Sequence, residues 1–170
     1  CHDLIREFIL KYNKPQIEEF EWLLRSLITR TDKAKSTGSI SDWTWLNYAE
    51  NFVQLFEGES QLLLFLLANI IELRQRLGSY QMALSFGEKL MEMANRLGDT
   101  EWESSAQAYL GSILEDLGNY ESAEKMLRSS LSWALDFKQE SHSLIAIRRS
   151  NLAGLLTRKG YLDKASKLYN

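Results

Sequence analysis

Apolar residues recur three and four positions apart through most of this 170-residue chain, the spacing that gathers them on one side of an α-helix. Trp102, Ala106, Tyr109, Leu110, Ile113, Leu114 and Leu117 make one such stripe, and Tyr120, Ala123, Leu127, Leu131 and Ala134 make the next. From Gln61 to Ile71 the residues are so uniformly apolar that the segment reads as a helix buried on most sides. The chain has a single proline and no long alternation rich in β-branched residues, so strands have little support. The pattern predicts an all-α fold.

Within that pattern a module repeats. Leu77-Gly78-Ser79-Tyr80-Gln81-Met82-Ala83 is echoed by Leu117-Gly118-Asn119-Tyr120-Glu121-Ser122-Ala123, and more loosely by Lys159-Gly160-Tyr161-Leu162-Asp163-Lys164-Ala165. The three glycines stand 40 and 42 residues apart. Each is expected to end one amphipathic helix in the left-handed conformation, and the alanine five residues on lets the next helix pack closely. Leu97-Gly98-Asp99 reads as a second tight turn, linking one helix pair to the next.

The first 60 residues do not show this module. Cys1 to Phe8 reads as a short helix, and Asn13 and Pro15 introduce another that carries Ile17, Phe20, Leu24, Leu27 and Ile28 on one face. A polar loop is expected from Thr31 to Ser41 around Gly38, then a third helix with Trp43, Trp45, Leu46, Ala49, Phe52, Val53 and Phe56.

The module resembles the tetratricopeptide repeat, in the longer form with extended helices and a Leu-Gly-Asp linker. Gly111 and Ala153 stand seven residues before Gly118 and Gly160, where that family prefers a small residue; Ile71 departs from this in the first unit. The resemblance implies a right-handed superhelical solenoid of antiparallel helix pairs over 61–170, divided as 61–99, 100–139 and an incomplete 140–170, behind a helical linker region over 13–60. His2-Asp3-Leu4-Ile5-Arg6-Glu7-Phe8 resembles the Met-His-Asp motif that closes the winged-helix domain of NB-ARC nucleotide switches, the STAND class of signalling ATPases, with Cys1 in place of the Met. By that resemblance 1–12 ends a winged-helix-like domain, and His2 reaches the phosphate of ADP in a longer protein, no cofactor being expected within these residues themselves. The numbering opens without an initiator Met and stops at Asn170 inside an unfinished helix, so a piece of a longer polypeptide is expected.

Composition narrows the function. Twenty basic residues against 23 acidic ones are interspersed and give a net charge of −3, which disfavours nucleic acid as a partner. The apolar run is too short to span a membrane, and no secretion signal is expected from the opening residues. One cysteine allows no internal disulfide, and the cytoplasm is the expected compartment. With two histidines, no glycine-rich phosphate loop and no His-Glu-x-x-His spacing, neither a metal site nor an enzyme is expected.

The remaining expectation is binding. Repeat arrays of this kind hold partners on the concave side, lined by the first helix of each pair. By resemblance that side takes in Glu72, Gln75 and Arg76, then Ser112, Glu115 and Asp116, then Asn151 and Arg158. Adjacent Glu115 and Asp116 are expected to diverge around their helix rather than act as a catalytic pair. Ala68 and Ala108 fall where the basic clamp for chaperone tails would need lysine, and Trp102 and Trp133 lie on stripes consistent with burial. A protein or peptide partner follows, with self-association through the exposed array end as a further expectation. The chain reads as the sensor segment of a nucleotide-dependent switch; a stand-alone repeat adaptor and a peptide sensor that regulates transcription are the competing readings.

Overall fold

The computed structural model describes residues 20–38, 40–55, 58–136 and 142–169. Among them are eight helices and no strand: α1 (Glu21–Thr37), α2 (Ile40–Leu55), α3 (Gln61–Arg76), α4 (Tyr80–Leu97), α5 (Thr100–Asp116), α6 (Tyr120–Asp136), α7 (His142–Arg158) and α8 (Leu162–Tyr169). The chain divides into two compact units, Cys1–Leu77 and Gly78–Asn170. The expected helix at Cys1 to Phe8, His2, Ile17 and Phe56 lie outside the described residues.

The turns are built alike. Gly118 takes φ +79; its N–H donates to the carbonyl of Glu115, and the Asn119 N–H donates to that of Leu114. Gly98 and Gly160 repeat this pair of bonds at φ +64 and +82, satisfying carbonyls that every helix C-terminus leaves over. The next helix is then started by a side chain: Asp99 accepts from the Trp102 N–H and Asn119 from the Ser122 N–H. A β-carbon at Gly118 would meet nothing, so the demand there is purely conformational. Gly118→Ala is expected to cost about 1–2 kcal/mol in chemical denaturation; an unchanged stability would show that the turn relaxes to negative φ freely.

In the second unit α5 packs against both α4 and α6, α6 against α7, and α7 against α8. The close approaches sit where the helices carry small residues: Gly87 faces Leu110 and Ile113, and Gly111 faces Leu127. Ala123, Leu127, Leu131, Leu152, Ala153, Leu155, Leu156 and Ala165 form one buried cluster across α6, α7 and α8. Ser104 and Ser130, both buried, exchange hydrogen bonds with each other's carbonyls and so fix the register of α5 against α6.

The first unit corrects the sequence reading. Thr31 to Thr37 is not a loop: α1 runs through it and ends at Gly38, φ +62, which lies 40 residues before Gly78. The polar letters are accommodated because the Thr31 hydroxyl donates back to the carbonyls of Leu27 and Ile28 while Ala34 is buried. Residues 20–60 therefore contain a helix pair turning at a left-handed glycine, like the pairs further along. α3 packs on α1, and its buried Asn69 donates to the Thr31 hydroxyl at 3.0 Å and accepts from the Lys35 ammonium at 2.6 Å. α3 is also tied to α2 by Arg74, whose guanidinium grips the Glu50 carboxylate with two nitrogens; the two side chains are 14% and 9% exposed.

Candidate partner-binding face

A hydrogen bond and an ion pair show how α5 and α7 lie together. Arg148 Nη2 donates to Ser105 Oγ at 3.0 Å, and Arg158 Nε meets Glu115 Oε1 at 3.1 Å. Each joins residues 43 apart, so the two helices run parallel, as first helices of successive pairs must. Along α7 the core side is Arg148, Leu152, Leu155 and Leu156. The opposite side carries Ile147, Ser150, Asn151, Gly154 and Arg158, and this side together with Ser112, Glu115 and Asp116 of α5 makes the face of interest.

At one end of the face a charged triad is assembled. Arg158 reaches Asp116 as well, at 3.9 Å, so adjacent carboxylates that point apart on α5 are both served by one long guanidinium. The two carboxylates diverge around the helix, and the arginine spans the angle between them. Glu115 is 11% exposed, and burial pushes its carboxyl above the usual range, opposed by Arg158 and assisted by Asp116. Its contribution to stability is accordingly present below the ordinary glutamate pKa and lost as pH rises through the raised value.

Ser112 and Asn151 are half-buried on the same face. Glu72, Gln75 and Arg76 belong to the first unit, where Glu72 lies 3.4 Å from Lys35 and Arg76 donates to the Lys35 carbonyl. Ala68 and Ala108 are buried at 6% and 4%, so they present nothing to a partner. Trp102 and Trp133 are half-buried rather than enclosed. Among the described residues no group of three potential metal ligands occurs, and no helix is long and apolar enough to cross a membrane.

Sequence reasoning missed Gly154. A β-carbon there would meet nothing within 4 Å, in contrast to Gly87 and Gly111, so the helix carries a glycine in mid-face that its own packing does not require. It missed Lys159 too, whose ammonium lies 2.7 Å from Glu124 of α6. The only sequence signal for either was position relative to Gly160. Lys159 and Arg128 together hold the Glu124 carboxyl below its ordinary range. That group stabilises the fold above the ordinary glutamate pKa of about 4.3, and the contribution is lost as pH falls through the lowered value. Acid unfolding of Glu124→Gln should thus show a flatter fall below pH about 4.3 than the parent chain; identical curves would mean that the Lys159 pair contributes nothing.

Parallel first helices, small-residue crossings and left-handed glycine turns define a helical-repeat scaffold. Residues 62–136 match the family model of the tetratricopeptide repeat. The structure is similar to the crystal structure of Podosopora anserina putative kinesin light chain nearly identical TPR-like repeats, at 17% identity and TM-score 0.70, covering 85% of this chain and 71% of that one. A second crystal structure of those repeats aligns with TM-score 0.69 at 16% identity, covering 85% and 70%. The fold is thus the all-α, tetratricopeptide-like solenoid class, and the aligned share of this chain is larger than residues 61–170 alone could supply. No curated protein matches the sequence.

Proposed function

We propose that the chain is a binding scaffold whose α5–α7 face receives a protein or peptide. The observation that carries this reading is the juxtaposition of parallel α5 and α7 with an open face marked by Gly154, on a stretch whose repeats match the tetratricopeptide model. In the first unit, taken by itself, Glu72, Gln75 and Arg76 are proposed as partner-contacting residues of α3. Gly154→Tyr fills the face without touching the core, because its β-carbon has open space. Peptides selected from a random display library on the parent chain should lose binding to Gly154→Tyr while its thermal midpoint is preserved. Equal binding by both forms would reject the face.

The finer reading is that the repeats form the sensor segment of a STAND-type nucleotide switch, acting in the cytoplasm. Its support is the His2-Asp3 motif and the order of parts behind it. In such a protein the His2 imidazole would donate to the ADP phosphate, a bond to a charged acceptor worth roughly 1.5–3 kcal/mol. His2→Ala in the complete polypeptide should then release ADP faster and raise signalling output. Unchanged retention and output would falsify the switch assignment, leaving a stand-alone adaptor in the lead. Self-association would use α8, whose first and last residues, Leu162 and Tyr169, are 63% and 62% exposed.

A further inference from the structure

Two consecutive residues at the end of α7 grip two different helices of the preceding pair. Arg158 pairs with Glu115 and Asp116 on α5, and Lys159 pairs with Glu124 on α6, with Glu121 of α6 a further 4.0 Å contact. The buried cluster shared by α6 and α7 contains Ala123, Leu127, Leu131, Leu152, Ala153, Leu155 and Leu156, and apolar packing is non-directional. It resists separation of the helices better than it resists their rotation. The lysine is well placed to supply direction. Its backbone is fixed by the turn, Lys159 N–H donating to Leu155 and Gly160 N–H to Thr157. Its side chain is 15% exposed, and its acceptor is held ready by Arg128 at 2.6 Å from the other carboxylate oxygen. A pair so sheltered is screened less than an open surface pair.

We propose that Lys159 is a positioning residue: with Arg158 it forms a two-armed ionic tie that sets the angle of the α7–α8 pair against the α5–α6 pair, and thereby the spacing of the face between α5 and α7. The tie itself stands on the geometry of the second unit alone; its consequence for binding rests on the function proposed for that face. It also explains why Arg158, 58% exposed, stays directed at α5: the turn that anchors Lys159 anchors its neighbour.

The test is a distance measurement between spin labels on Lys125→Cys of α6 and Ser166→Cys of α8, both exposed positions, in a Cys1→Ser background. Three forms are compared: Lys159, Lys159→Met, which keeps the apolar stem, and Lys159→Arg, which keeps the charge. The parent and Lys159→Arg should give one narrow distance distribution, and Lys159→Met should broaden or shift it with helix content unchanged. A Lys159→Met distribution equal to the parent's overturns the proposal, and so does a Lys159→Arg distribution as broad as that of Lys159→Met. Affinity for a display-selected peptide is read in parallel. If the distribution broadens while affinity is untouched, the tie stands and the binding face is what fails.

Discussion

Replacing Gly111 with valine is expected to lower the thermal midpoint of the repeats by roughly 10 °C, since overpacking costs about 1–3 kcal/mol and each kcal/mol moves a domain of this size by about 4–8 °C. The β-carbon would stand 2.7 Å from both Cγ and Cδ2 of Leu127 and 3.3 Å from the Ala123 carbonyl oxygen. Cγ is the branch point of a leucine that is 1% exposed, so it cannot swing aside as a side-chain tip could. Gly111→Ala meets the same contact but gains about 1 kcal/mol of helix propensity, so its loss should be much smaller. Ala123→Trp disrupts the same crossing from the α6 side, and combined with Gly111→Val it should cost less than the sum of the two. A Gly111→Val midpoint equal to the parent's would mean that α5 and α6 do not cross there.

The second large effect belongs to the first unit. Arg74→Ala leaves the Glu50 carboxylate buried without its guanidinium, a loss typically of about 3–5 kcal/mol. Replacing both partners by apolar residues of similar size, Glu50→Leu with Arg74→Met, removes the charge that would be stranded and should cost far less. Urea unfolding followed by the fluorescence of Trp22, Trp43 and Trp45 reports on this unit when Trp102 and Trp133 are replaced by phenylalanine. A double variant no more stable than Arg74→Ala would show that the pair is not sheltered as described.

How much of this was legible follows from what each feature requires. The turns at Gly78, Gly98, Gly118 and Gly160 could be read because a left-handed backbone position asks for one residue type, and that type leaves a visible period. Gly38 belongs to the same series at the same 40-residue interval, yet the polar letters around it read as a loop. The helix there persists because Thr31 satisfies its hydroxyl on its own backbone, an arrangement that composition does not reveal. Asn69 likewise hid inside an apolar run, its partners being 34 to 41 residues away on α1. Of the face, Glu115, Asp116 and Arg158 are legible from their repeat positions. Their convergence was not foreseeable, because it depends on the parallel register of α5 and α7. Gly154 and Lys159 escaped for the same reason: the use of each is defined only by what stands across from it.

Hydrogen exchange on the chain with a display-selected peptide bound puts the binding face to the most direct test. Amides of α5 and α7 should gain protection, centred near Gly111–Glu115 and Gly154–Arg158, while those of α6 and α8 should exchange as in the free chain. Protection confined to α6 and α8, or spread evenly over all the helices, would contradict the assignment of the α5–α7 face as the place where this scaffold holds its partner.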